Sequence, residues 1–127
     1  MIVRAKVKLR SDVSEFIGVA LVDTGATHTV IDYLLAEHLK LEPFGEREIV
    51  TLGTKVQCQL VNVKNMVIEE VKISPRRLLV CNFPKDVKEK LKSIRCSDKI
   101  IIGTPEVESA GYIPNTVKLE KVGFIAI

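Results

Sequence analysis

The chain opens with two stretches whose apolar positions are typical of β-strands. Residues 2–9 alternate between apolar side chains and Lys or Arg, a period of two that predicts a strand with one face in water. From Phe16 to Val22 the apolar run is nearly continuous, which favours a strand buried on both faces. This run ends at Asp23-Thr24-Gly25, and a short strand-like segment follows at 29–31.

Strand patterns continue through the middle and the end of the chain. Segment 49–60 has two arms of strand-forming residues joined at Gly53-Thr54-Lys55, which predicts a β-hairpin with its tip at those three residues. The remaining predicted strands are 66–73, 78–81, 100–102 and one or two within 117–127.

Three short helices are predicted between these strands. Asp32 is a suitable N-cap for a helix that ends before Pro43 and Gly45. The segment Pro84–Arg95 has apolar residues on one face, and its five basic residues predict a solvated opposite face. Thr104 as an N-cap, followed by Pro105, predicts a helix to about Ala110. The pattern as a whole predicts a mainly β fold with two or three short helices.

One arrangement occurs twice along the chain. An apolar strand, a glycine-containing turn and a short helix follow one another in 19–35 and again in 99–111. Two such units indicate an approximate internal two-fold, although the likeness is too weak to define a repeat array.

Length and composition restrict the classes of function. With 127 residues, the sequence fits one domain spanning 1–127. The net charge is +3 and there is no Trp, so neither a basic footprint nor a base-stacking platform for nucleic acid is present. No apolar run reaches the length that crosses a membrane. We therefore expect neither nucleic acid nor membrane as a partner.

The cysteines give no sign of a metal site or a disulfide framework. The number of cysteines is odd, and no two of them form a CxxC pair: they are Cys58, Cys81 and Cys96. We interpret them as mostly buried thiols in a reducing compartment, with a Cys81–Cys96 bridge left open. The charged amino-terminal segment has no apolar core for a signal peptide. Together these features predict a cytoplasmic protein.

Asp23 is the residue best placed for chemistry. A carboxylate that follows an apolar strand is costly unless it is hydrogen-bonded or functional. Thr24 offers a hydroxyl donor, and Gly25 lets backbone amides approach closely. By itself this tripeptide is better explained as an ordinary Asx-type turn after a strand. His28 and His38 have no partners at ligand spacing, so no metal and no other cofactor is expected.

The segment 20–31 resembles the active-site segment of the retroviral-type (retropepsin-like) aspartic proteases. The likeness consists of apolar residues, then Asp23-Thr24-Gly25-Ala26, a small polar residue at Thr27, and the apolar pair Val30-Ile31. A later apolar-apolar-glycine element, Ile101-Ile102-Gly103, also leads into a short helix as it does in that family. The resemblance covers most of the chain and suggests a single-domain cellular member.

The resemblance implies a function and an assembly. Aspartic proteases use two carboxylates that share one proton, and this chain has one Asp-Thr-Gly. The resemblance therefore implies a closed acid-protease β-barrel that forms an obligate homodimer, with the two Asp23 side chains on its axis. Thr24 would hydrogen-bond across the dimer, Gly25 and Ala26 would support the carboxylate, and the terminal strands 2–9 and 122–127 would form the interface.

The hairpin 49–60 resembles the flap that closes over a bound peptide in this family. Its candidate substrate-binding residues are Leu52, Gly53, Thr54 and Lys55. Viral flaps are rich in glycine, whereas this one has a single glycine, and Thr104 stands where a basic residue is frequent. The implied function is an aspartic endopeptidase acting on peptide or protein substrates.

Two other functions stay open at this point. The same dimeric fold could be a catalytically silent module that binds a peptide or protein strand, because a fold does not guarantee its chemistry. A structural homodimer or adaptor, in which Asp23-Thr24-Gly25 is only a turn, is the second alternative.

Overall fold

The structure is a computed structural model that describes residues 2–51, 54–113, 117–118 and 121–122. Twelve strands and three helices lie within these residues. In chain order they are β1 (Val3–Arg10), β2 (Glu15–Asp23), β3 (Val30–Asp32), α1 (Tyr33–His38), β4 (Gly45–Thr51), β5 (Thr54–Val63), β6 (Asn65–Ile68), β7 (Val71–Ile73), β8 (Arg76–Cys81), α2 (Lys85–Ser93), β9 (Ile100–Gly103), α3 (Thr104–Ser109), β10 (Tyr112–Ile113), β11 (Val117–Lys118) and β12 (Lys121–Val122).

Nine of these strands form one open sheet. Their order is β4-β5-β8-β3-β9-β2-β1-β6-β7, and β10, β11 and β12 form a separate small sheet. The mainly β fold with short helices is confirmed, but the predicted closed barrel is wrong. Closure requires the two outer strands to pair, and within the described residues β4 pairs only with β5 and β7 only with β6.

The core lies on one face of this sheet. Val3, Ala5, Val7 and Leu9 of β1 are buried, as their alternation with charged residues predicted. The strand is paired on both sides, with β2 and with β6. It is therefore an interior strand of the sheet, with neighbours on both sides. The predicted dimer interface at 2–9 stays a prediction. Segment 123–127, the rest of that predicted interface, lies outside the described residues.

Strand β2 is buried only near its end. Ile17 is 68% exposed, whereas Ala20 and Val22 are buried. The first half of β2 pairs with β1 in a hairpin, and its burial pattern alternates between exposed and half-buried residues. Leu21, on the other face of the strand, is half-buried. The prediction of burial on both faces is therefore wrong for the first half of β2 and holds only in part for the segment that leads to Asp23.

The central four strands have an approximate two-fold pairing pattern. Within the order β8-β3-β9-β2, β3 is parallel to β8, β9 is parallel to β2, and β3 and β9 are antiparallel to each other. Each of the two inner strands leads directly into a short helix, β3 into α1 and β9 into α3. The internal echo in the sequence thus corresponds to two strand–helix units at the centre of the sheet.

Asp32 joins three elements around the first of these units. Its carboxylate caps α1 by accepting a hydrogen bond from the Leu34 amide at 3.1 Å, and it accepts another from the Phe83 amide at 2.8 Å. Lys88 of α2 approaches the same carboxylate at 3.4 Å. The side chain of Asp32 is almost fully buried, so these contacts offset its loss of solvent. Lys88 is accordingly not part of a purely solvated helix face.

The predicted single strand 66–73 is two strands. Glu69 has a φ of 57°, a left-handed conformation that turns the chain between β6 and β7. Its amide donates to the Lys6 carbonyl and its carboxylate accepts from the Lys6 amide, so the turn is fixed against β1. Glu69 and Glu70 are not among the residues typical of turns, so the sequence gave no signal for this one.

A disulfide joins Cys58 of β5 to Cys81 of β8. The register Gln59↔Val80 brings the two cysteines opposite each other on neighbouring antiparallel strands. The interpretation of Cys58 and Cys81 as free thiols is therefore wrong, and so is the alternative bridge to Cys96, although Cys58 is buried as expected. Cys96 is free and buried, and burial raises the pKa of its thiol. Cytoplasmic localisation, which rested partly on free thiols, stays a prediction.

Candidate active site

Asp23 is the last residue of β2 and is exposed to solvent. Strand β9 runs parallel to β2, and its last residue, Gly103, pairs with Asp23. Both strands are buried just before this point, at Val22 and at Ile102. The carboxylate therefore emerges from the core at the carboxyl ends of two adjacent parallel strands.

The Asp-Thr-Gly segment holds this carboxylate in a defined orientation. The Gly25 amide donates a hydrogen bond to Asp23 Oδ1 at 2.9 Å, and the Ala26 amide donates to the Asp23 carbonyl at 3.1 Å. A Cβ at position 25 would lie 3.4 Å from that same Oδ1. Asp23 Oδ2 has no hydrogen-bond partner among the described residues, which leaves one oxygen to face a water or a second carboxyl group.

Thr104 fixes the loop that carries the candidate site. Its amide donates to the Ala26 carbonyl at 3.0 Å, and its hydroxyl donates to the Thr24 carbonyl at 3.3 Å. Thr104, which stands where the resemblance implies a basic residue, thus contacts the Asp-Thr-Gly loop of its own chain. The beginning of α3 and the candidate site are consequently one hydrogen-bonded unit.

Behind this loop lies a buried polar network. Thr29, which is 2% exposed, donates its hydroxyl hydrogen to Glu106 Oε1 at 2.6 Å. The same hydroxyl oxygen accepts a hydrogen bond from the Gly103 amide at 2.9 Å. The other oxygen of Glu106 lies 3.7 Å from Arg76 Nε. The network connects the residue before β3 to β9, α3 and β8, and so supports both segments that flank Asp23.

Sequence reasoning missed this network. Thr29 and Glu106 are 77 positions apart, and each has the local context of an ordinary strand or helix residue. A glutamate in the first turn of a helix is normally explained by the helix dipole. No local pattern therefore distinguishes the buried Glu106 from a solvated one.

The flap-like hairpin is present as the antiparallel pair of β4 and β5. The register runs from Gly45↔Leu60 to Thr51↔Thr54, so Thr54 and Lys55 belong to β5 rather than to the tip. Leu52 and Gly53, the other two predicted flap residues, lie outside the described residues. The Cys58–Cys81 disulfide attaches the base of this hairpin to β8.

Residues able to hold a metal are not grouped in the part of the chain that the structure describes. No cluster of three or more His, Cys, Asp or Glu side chains occurs there. His38 instead contacts Ser14 Oγ at 2.9 Å and the Glu15 carbonyl at 3.1 Å.

None of the described helices is long and apolar enough to span a membrane.

Comparison with known families identifies the class of protein. Residues 7–105 match the family model described as aspartyl protease, which includes both Asp23 and Gly103. The match covers more than half of the chain, so the chain belongs to the aspartyl protease family. Family and fold together indicate a protease-type hydrolase function.

A solved structure agrees with this assignment at the level of the fold. The crystal structure of a retropepsin-like aspartic protease from Rickettsia conorii superimposes with a TM-score of 0.51 and 15% sequence identity, over 85% of each chain. At this identity the likeness shows a shared fold. A sequence comparison with curated proteins finds no match. The resemblance to retropepsin-like proteases is thereby confirmed, while the roles of the individual site residues stay predictions.

Proposed function

We propose that the protein is an aspartic endopeptidase in which two copies of the chain each contribute Asp23 to one active site. The observation that carries this proposal is the exposed Asp23 carboxylate at the end of a buried strand, oriented by the Gly25 amide. Family membership supports it independently.

The number of carboxyl groups that the reaction needs requires a homodimer. Peptide hydrolysis by this mechanism needs two carboxyl groups, and the sequence contains one Asp-Thr-Gly. A two-fold axis beside Asp23 would bring two identical carboxyl groups together. The unpartnered Oδ2 of Asp23 is free to share a proton with its counterpart.

The chemistry at such a pair is general acid–base catalysis. The ionised carboxylate accepts a proton from water as the water oxygen bonds to the scissile carbonyl carbon. The protonated carboxyl donates its proton to the carbonyl oxygen. When the tetrahedral intermediate collapses, the C–N bond breaks, the nitrogen takes up a proton, and a carboxylic acid and an amine leave. One water is consumed, and neither a metal nor a covalent intermediate takes part.

The substrate would bind as an extended strand beneath the β4–β5 hairpin. Main-chain hydrogen bonds to sheet edges give affinity for extended peptides, and alternate side chains enter pockets on the two sides. Strand β4 is an outer strand of the nine-stranded sheet. Leu52, Gly53, Thr54 and Lys55 are the proposed contacts near the hairpin tip.

Cleavage of a denatured protein by the wild type and by Asp23→Asn tests the proposal. New peptide termini, identified by mass spectrometry, should appear with the wild type and be absent with the variant. Asp12→Asn, at an exposed position in the β1–β2 turn, is the matched control and should cleave as the wild type does. Equal cleavage by Asp23→Asn would exclude Asp23 as the catalytic group. Peptide binding without any cleavage by the wild type would favour the silent binding module.

A further inference from the structure

A cavity of about 150 Å³ lies next to the loop that follows Asp23. A cavity of this size can hold a group as large as benzene, so it has room for one side chain of a bound peptide. Its walls come from the loop that follows Asp23, from β4, β5 and β8, and from the start of α3. Its lining includes Thr27, His28, Arg47, Leu60, Arg77 and Leu79.

The strand register places two arginines on the same face of the sheet. Leu60 of β5 lies opposite Gly45 of β4 and Leu79 of β8. Residues two apart along a strand share a face, so Arg47 lies on the face of Gly45 and Arg77 on the face of Leu79. The cavity therefore has an apolar floor with a guanidinium on each side.

These two arginines have no carboxylate partner within the described residues. The contact of Arg77 is a cation–π interaction with the Phe44 ring, 5.4 Å from the ring centroid. The acidic residues of β4 alternate with Arg47 and lie on the opposite face, where Glu48 pairs with Lys55. Arg47 and Arg77 are both exposed, so their charges are available to a ligand.

Glu106 is the one carboxylate among the residues that line the cavity. It is only 5% exposed, and both of its oxygens are engaged, Oε1 by the Thr29 hydroxyl and Oε2 by Arg76. The positive charge of Arg76 therefore compensates the charge of Glu106. Arg76 also belongs to β8, but as the neighbour of Arg77 it lies on the opposite face of that strand. The charge that the cavity presents to a ligand is positive.

From this arrangement we infer that the cavity binds an acidic side chain of the substrate, so that the protein selects peptides with Asp or Glu near the scissile bond. Arginine forms paired hydrogen bonds with a carboxylate, which makes it the side chain best suited to this recognition. The apolar floor of Leu60 and Leu79 contacts the methylene groups that precede the carboxylate. The selection of acidic peptides for cleavage rests on the proposed function, whereas the binding of an acidic side chain in the cavity does not.

Peptide libraries test the inference through binding alone. The probes are octapeptide libraries in which one position at a time is fixed as Glu or as Gln, and the protein is Asp23→Asn, so that no peptide is consumed. At one position the Glu library should bind about ten-fold more tightly than the Gln library, as expected for a lost charge-assisted hydrogen bond. The substitutions Arg47→Gln and Arg77→Gln should each abolish that preference. Arg10→Gln, at an exposed position of β1, should retain it.

The outcomes separate this inference from the proposed function. A Glu preference that disappears with Arg47→Gln supports the inference even if the wild type cleaves nothing. An absence of cleavage by the wild type would overturn only the proposed function. Cleavage by the wild type with no preference between Glu and Gln at any position would overturn the inference and leave the endopeptidase intact. Equal binding of both libraries, or a preference that survives both substitutions, would likewise overturn it.

Discussion

Gly103 packs directly against the backbone of His28. A Cβ at position 103 would lie 2.6 Å from both the carbonyl carbon and the carbonyl oxygen of His28, closer than any ordinary contact. Gly103 is also the residue paired with Asp23, and His28 is on the loop that follows it. The two segments that flank the candidate carboxylate therefore meet backbone to backbone, which only glycine permits.

Replacing Gly103 by Ala should destabilise the protein by about 1–3 kcal/mol, the usual effect of overpacking. The backbone of His28 has to shift, so the loop that carries Asp23 shifts with it, and peptide cleavage should fall as well. Urea denaturation measures the stability change. Gly45→Ala is the matched control because its Cβ would meet Leu60 at an ordinary 3.5 Å. An effect of Gly103→Ala no larger than that of Gly45→Ala would contradict this packing.

Replacing Thr29 by Val should remove both hydrogen bonds of its hydroxyl group. Glu106 then loses a donor at 2.6 Å and the Gly103 amide loses its acceptor, both in buried positions. We expect a loss of about 1–3 kcal/mol, since buried polar groups are left unsatisfied. Thr29→Ser keeps the hydroxyl, so its free energy of unfolding should be much closer to that of the wild type. Thermal unfolding of the two variants checks this, and a loss in Thr29→Val no larger than that in Thr29→Ser would contradict the importance of the hydroxyl group.

Removing the Cys58–Cys81 disulfide should lower the free energy of unfolding by about 3 kcal/mol. The bridge spans 23 positions, and closing a loop of that order reduces the entropy of the unfolded chain. The double variant Cys58→Ala, Cys81→Ala can be compared with the oxidised wild type by chemical denaturation. Because the bridge attaches β5 to β8, faster amide exchange should appear in the β4–β5 hairpin.

The control for the disulfide is the response to a reductant. Dithiothreitol should lower the stability of the wild type and of Cys96→Ala, but should leave the Cys58/Cys81 double variant unchanged. A destabilising effect of dithiothreitol on that double variant would show that another bond is being reduced.

Asp98 should contribute a small, pH-dependent stabilisation. Burial acts to raise its pKa, but hydrogen bonds and charges from Lys99 at 3.2 Å and Lys92 at 3.4 Å outweigh it, so the pKa lies below its ordinary value. The folded pKa is therefore below the unfolded one, and the stabilisation is full above about pH 3.9 and is lost as the pH falls through the folded pKa.

Stability curves of Asp98→Asn against pH test that assignment. The variant should be less stable than the wild type near neutral pH, by less than about 1 kcal/mol because both lysines are largely exposed. The difference should vanish in strong acid. Asp12→Asn, at an exposed turn, should show no such difference at either pH. A deficit of Asp98→Asn that persists in strong acid would contradict the ion pairs.

Local patterns were enough to predict much of the fold. The N-cap of α1 at Asp32, the alternation in β1 and the hairpin of β4 and β5 each depend on neighbours within a few residues. Asp23 was identified because its tripeptide is itself a local motif. In each case the physical cause lies within the segment that shows the pattern.

The features that were missed depend on contacts between distant segments. The Cys58–Cys81 bridge requires the register of β5 against β8, which spacing along the chain does not reveal. The buried pair of Thr29 and Glu106 requires β3 and α3 to be adjacent. The sheet is open because its outer strands, β4 and β7, each pair on one side only. The turn at Glu69 depends on a backbone conformation unfavourable for most residues.

The central claim is that two copies of the chain each supply Asp23, and a mixing experiment tests it most directly. Wild type and Asp23→Asn are unfolded together at equal concentrations, refolded so that subunits exchange at random, and assayed for peptide cleavage at fixed total protein. Only dimers with two wild-type subunits should cleave, so activity should fall to about one quarter of that of the wild type alone. An activity of about one half would mean that each chain acts alone, and would contradict the shared active site.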